Sequence, residues 1–104
     1  MIIPSYARTV NDVFVDIVQQ HLFTNYYPGI ETYYDKNTCD VIIYIKDAST
    51  YCRQKIKQLI KRILKLNNVK YKYLVTEGYF VISEDIIKQF IALYKLGQIK
   101  FEKE

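Results

Sequence analysis

Eight cationic side chains and no carboxylate fall between Ala48 and Thr76: Arg53, Lys55, Lys57, Lys61, Arg62, Lys65, Lys70 and Lys72. That window carries +8 against a net charge of +4 for the chain, so the remaining residues sum to −4. Concentrated positive charge is suited to electrostatic capture of phosphates and acidic surfaces. Arg53, Lys57, Lys61 and Lys65 recur at every fourth residue, which on a helix makes a continuous stripe opposite its apolar one, flanked by Lys55 and Arg62. With no Asp or Glu at the same spacing, nothing local offsets the mutual repulsion. A stripe of this kind neutralises about four phosphates and gives a salt slope near −3 to −4 without reading base sequence. Arg53, Lys57, Lys61, Arg62, Lys65, Lys70 and Lys72 are therefore the candidate nucleic-acid contacts. The plainer reading of the same stripe is a solvated helix face.

Covalent chemistry is less well served. His21 is the single histidine, beside an apolar helical stripe, and no Ser-His-Asp or Cys-His arrangement can be assembled around it from sequence. Gly29, Gly78 and Gly97 are isolated and suit turns or caps, not a phosphate-cradling loop. The acidic residues are scattered; Asp35 and Asp40 flank a predicted turn, where turn chemistry accounts for Asp35. Cys39 and Cys52 are expected to be free thiols, placed too far apart to bridge. The chain thus reads as non-enzymatic, with no metal and no cofactor.

The elements that must position the stripe follow from periodicity. Thr9 and Asp12 suggest the start of a first helix over Val10 to Leu22, with Val10, Val13, Phe14, Ile17, Val18 and Leu22 on one face. Tyr27-Pro28-Gly29 reads as a turn. A hairpin turning at Lys36-Asn37 pairs Tyr34 with Cys39 and Ile30 with Ile43. It puts Ile30, Thr32, Tyr34, Cys39, Val41, Ile43 and Ile45 on one face. Asp47, Ser49 or Thr50 can cap the second helix, whose apolar stripe is Cys52, Ile56, Leu59, Ile60, Ile63 and Leu64, and Asn67-Asn68 can stop it. A second hairpin turning at Glu77-Gly78 pairs Val75 with Phe80. It puts Val69, Tyr71, Tyr73, Val75, Phe80 and Ile82 on the core face, with Lys70, Lys72, Leu74, Tyr79 and Val81 opposite. Ser83, Glu84 and Asp85 begin a third helix that ends at Gly97, and Ile99-Lys100-Phe101 alternates like a short edge strand.

The order α-β-β-α-β-β-α predicts a single α+β domain over residues 1–104, a four-stranded, mainly antiparallel sheet with helices on one face. Its other face carries Tyr33, Ile42, Tyr44 and Tyr79, too apolar for an ordinary solvated surface, and these are the candidate interface of a homodimer. Of the eleven tyrosines, Tyr33, Tyr44 and Tyr79 are also the ones placed to stack on bases, although no aromatic-sheet RNA-binding motif accompanies them. Two functions follow: a nucleic-acid or polyanion binder working through the basic helix, or an assembly module working through the aromatic face. No apolar run reaches membrane-span length, and Met1-Ile2-Ile3-Pro4 lacks the pattern of a secretory leader, so the expected location is cytoplasmic.

The element order resembles the topology of LAGLIDADG homing endonucleases. That family carries a Gly-rich helix ending in a metal-binding acid at its dimer axis. The corresponding segment here, Val13-Phe14-Val15-Asp16-Ile17-Val18-Gln19-Gln20-His21-Leu22, lacks the small residues and the terminal acid, so the resemblance implies the fold without the activity. Across the whole chain, the Ile-, Tyr- and Lys-rich vocabulary with few Gly and Pro resembles that of small crenarchaeal virus proteins. That resemblance implies a thermostable protein in the cytoplasm of an infected archaeal cell, and transfers no functional residue.

Overall fold

The computed structural model describes residues 5–21, 28–46, 49–76 and 78–101. Along the chain run α1 (Ser5–His21), β1 (Ile30–Asp35), β2 (Asp40–Ile45), α2 (Thr50–Leu66), β3 (Lys72–Leu74), β4 (Tyr79–Ser83) and α3 (Glu84–Lys95), the predicted α+β order. The strands form one antiparallel sheet in the order β1-β2-β4-β3, so β1 and β3 are its edges. Alternation along β2 and β4 buries Val41, Ile43, Ile45, Phe80 and Ile82 against the helical layer. Ile42, Tyr44, Tyr79 and Val81 stay half-buried on the uncovered face. No described helix is long and apolar enough to cross a membrane.

Each helix docks through its apolar stripe. In α2 the Ser49 hydroxyl accepts from the Cys52 N–H at 3.2 Å, capping the first turn. Ile56, Leu59, Ile60, Ile63 and Leu64 are buried. Asn68 stops the helix at φ 58, which lets Val69 N–H reach the Leu64 carbonyl at 2.8 Å and Asn68 N–H reach that of Lys65 at 3.1 Å. Gly97, at φ 69, ends α3 with the same bond pattern. Phe14 of α1 stacks on Phe90 of α3 with ring centroids 5.6 Å apart, tying those helices together over the sheet. α1 begins at Ser5, one turn before the predicted Thr9–Asp12 start, which leaves Thr9 inside the helix. Leu22, Tyr27, Asp47 and Glu77, invoked above for a stripe, turns and a cap, lie outside the described residues.

Both hairpins depart from the predicted register, and by the same amount. Tyr34 pairs with Val41 instead of Cys39, and Tyr73 pairs with Phe80 instead of Ile82. Each loop holds four residues instead of two and ends in a left-handed residue, Cys39 at φ 57 and Gly78 at φ 75. A slip of two leaves every remaining side chain on its predicted face but removes Cys39 and Val75 from the core. Cys39 is exposed, and Val75 is 80% exposed. The first loop is held from within by Asp35, whose Oδ1 accepts from Asn37 N–H at 2.9 Å, and from outside by α3. There the Glu84 N–H, in the first turn of α3, donates to the Cys39 carbonyl at 2.9 Å. The Tyr34 hydroxyl bonds the Glu84 carboxylate, which raises the phenol above its ordinary pKa.

The predicted edge strand at Ile99–Phe101 does not form. Instead the Asn67 amide clamps the tail, Nδ2 donating to the Lys100 carbonyl at 2.9 Å and Oδ1 accepting from its N–H at 2.7 Å. Phe101 then stacks on His21, with centroids 4.3 Å apart.

Candidate nucleic-acid interface

α2 crosses the helix-covered face with one flank over β3, and its cations divide accordingly. Arg53, Lys57 and Lys61 are half-buried, whereas Lys55, Arg62 and Lys65 are exposed. The i, i+4 row therefore does not lie opposite the apolar stripe as predicted. A step of four residues advances the row about 40° around a helix of 3.6 residues per turn, so it drifts from the core's flank at Arg53 to open solvent at Lys65.

Tyr73 sets the geometry of that flank. Its ring packs on Phe80 with centroids 4.8 Å apart and receives the Lys61 ammonium at 4.2 Å and that of Lys57 at 5.6 Å. These are cation–π contacts, worth about 0.5–1 kcal/mol each when partly exposed. The lysine stems lie along apolar surface while the charged heads reach water. Lys55 similarly approaches Tyr51, at 5.4 Å, and Arg53 Nη2 donates to Thr50 Oγ1 at 3.0 Å. Among the described residues, Lys55, Lys57, Lys61 and Lys65 make no ion pair with a carboxylate, whereas Lys46 pairs with Glu31 at 3.4 Å and Lys88 with Glu84 at 3.1 Å. Lys55, Lys57 and Lys61 thus lean on tyrosine rings.

Lys70 and Lys72 do not join this surface. Lys72 stands opposite Val81 and shares the uncovered side of the sheet with it, while Tyr73 points to the helical side. Lys70 and Lys72 line a groove of about 270 Å³ with Asp40, Val81 and Ser83. Lysines on an edge strand also discourage addition of a further strand. The other edge, β1, is covered differently: Asn11 Nδ2 of α1 donates to the Ile30 carbonyl at 2.9 Å and to Thr32 Oγ1 at 3.1 Å.

The predicted interface residues do come together. Tyr44 and Tyr79 are cross-strand partners with centroids 4.8 Å apart, Tyr33 meets Tyr44 edge-on at 5.6 Å, and Ile42 lies beside them. The Tyr33 hydroxyl donates to Glu31, which also pairs with Lys46. The Tyr33 bond, followed by the contact with Lys46, holds the Glu31 carboxyl below its ordinary pKa; the same bond raises that of Tyr33. With rings inclined at 86° and 55°, the three tyrosines pack against one another and do not offer parallel faces for bases.

Among the described residues, no group of three His, Cys, Asp or Glu is placed to hold a metal ion, and His21 meets Phe101. Comparison with protein-family models, curated proteins and solved structures finds no match to this chain. The likeness to LAGLIDADG proteins rests on element order alone.

Proposed function

We propose that the protein is a non-enzymatic binder of nucleic acid, contacting the phosphate backbone through the outer face and β3 flank of α2. The observation that carries this reading is the set of four lysines, Lys55, Lys57, Lys61 and Lys65, on one helix with no carboxylate partner among the described residues. Their like-charge repulsion is a standing cost that bound phosphates would remove. Binding of this kind is insensitive to base sequence and steeply dependent on salt. Filter binding of duplex DNA across a salt series tests it: a steep linear fall of log affinity with log salt is expected, and absence of binding at low salt would refute it.

The aromatic side of the sheet supports a second role, self-association. Tyr33 is 38% and Leu74 37% exposed, around the apolar Ile42 and Val81, on a face that no described element covers.

A further inference from the structure

We infer that the uncovered sheet face pairs with the same face of a second copy, about a twofold axis parallel to the strands. This rests on the self-association reading and adds its geometry. It is independent of nucleic-acid binding by α2.

The register sorts the charges on this face. Glu31 and Asp35 stand on the β1 edge, and Asp40, the cross-strand partner of Asp35, lies inward on β2, where it also lines the groove with Lys70 and Lys72. Lys72 begins β3 on the opposite edge, and Lys70, two residues before it, lines the same groove beside Ser83. Lys46 is already paired with Glu31. The three lysines balance Glu31, Asp35 and Asp40, so the face is neutral overall, which disfavours a polyanion and suits another neutral surface. Its polarity then selects how a second copy docks. A twofold perpendicular to the strands lays β1 on β1, setting acid against acid and lysine against lysine. A twofold parallel to the strands lays β1 on β3 and β2 on β4 of the second copy.

In that second arrangement Asp35 faces Lys70 of the second copy. In the middle, Ile42 meets Val81 and Tyr44 meets Tyr79, because those residues are already opposite one another across β2 and β4. The contacts repeat by symmetry, as an isologous interface requires. Four strands about 4.8 Å apart and five residues at about 3.4 Å cover a footprint of about 320 Å². That is well below the roughly 800 Å² per partner of a standard interface, so the dimer belongs to the small, reversible class. Both α2 helices stay on the outside, their lysines free.

Sedimentation velocity over a wide concentration range tests this with charge reversal. The native chain is expected to dimerise reversibly, and Ile42→Lys to abolish association. Lys70→Glu alone and Asp35→Lys alone each place two like-charge pairs in the interface and should weaken it at least about tenfold. An equimolar mixture should associate as tightly as the native chain, because both pairs are then opposite in sign. If Asp35→Lys loses its fold with the turn bond to Asn37, adding Asp35→Asn to Lys70→Glu removes the acidic clash and should bring association back. A native chain monomeric throughout would overturn self-association itself. A dimer untouched by Ile42→Lys would overturn the choice of face. Loss of the dimer in Ile42→Lys without rescue by charge reversal would leave the face standing and overturn the axis.

Discussion

Replacing Lys57, Lys61 and Lys65 together with Gln is the perturbation that bears most directly on the α2 surface. If about four phosphates are neutralised by the native chain, its salt slope is about −3.6, and removing three charges lowers it to about −0.9. Between about 50 and 200 mM salt the native affinity should then fall about 150-fold and that of the variant only about threefold. Gln retains part of each lysine stem, so packing on Tyr73 largely persists. The loss in stability is confined to the cation–π contacts at 4.2 and 5.6 Å, about 0.5–1 kcal/mol each. Thermal unfolding of the variant checks that the fold survives. The assay is anisotropy with a labelled duplex of about 12 base pairs, longer than the roughly 26 Å of α2 yet short enough to limit multiple occupancy. Lys70→Gln with Lys72→Gln is the matched control, because those side chains stand on the other side of the sheet from Tyr73. It should leave the slope unchanged. Parallel salt lines for the triple variant and the native chain would refute the reasoning, as would equal flattening by the control pair.

Ile60 is fully buried in α2, so Ile60→Ala should cost about 2–5 kcal/mol in chemical denaturation at unchanged slope, whereas the exposed Lys65→Ala should stay within about 0.5 kcal/mol. A methyl group on Gly78 would meet nothing within 4 Å, so Gly78→Ala should lose about 1 kcal/mol through its left-handed φ of 75° alone, and Cys39→Gly should not destabilise the matching loop; both are read from denaturation midpoints. Asn67→Ala removes both bonds to the Lys100 backbone and should speed hydrogen exchange of the Lys100 amide while costing about 1–2 kcal/mol. The Glu31 carboxyl is lowered below its ordinary pKa, so its contribution is present above the unfolded value and is lost as pH falls through the folded one. Tyr33→Phe should move the Glu31 midpoint in an NMR titration upward and shrink that acid-side loss; an unmoved midpoint would show that the Tyr33 bond is not its cause.

The buried and uncovered sides of the strands and both ends of α2 were legible in the sequence because each depends on local spacing, whereas the start of α1 was not, Thr9 lying inside a helix that begins at Ser5. The alternation of Val41, Ile43 and Ile45 against Ile42 and Tyr44 identifies the buried face of β2 whatever it pairs with, and Ser49 and Asn68 bracket α2 through bonds to their own neighbours. The same alternation already separated Lys70 and Lys72 from Tyr73. Register was not legible, because a period of two is unchanged by a slip of two, and both hairpins slipped by that amount. What favours the longer first loop is a contact remote in sequence, the Cys39 carbonyl accepting from Glu84 N–H. The tail is a similar case: the alternation of Ile99 to Phe101 suggested a strand, but its backbone groups found the Asn67 amide 33 residues away. The stripe on α2 shows the same division. Spacing placed Arg53, Lys57, Lys61 and Lys65 in one row, whereas only the docking of α2 over Tyr73 decided which cations lean on the sheet and which stand in solvent. Local periodicity specifies direction relative to an element's own axis, and the rotation and register of that element are set by what packs against it.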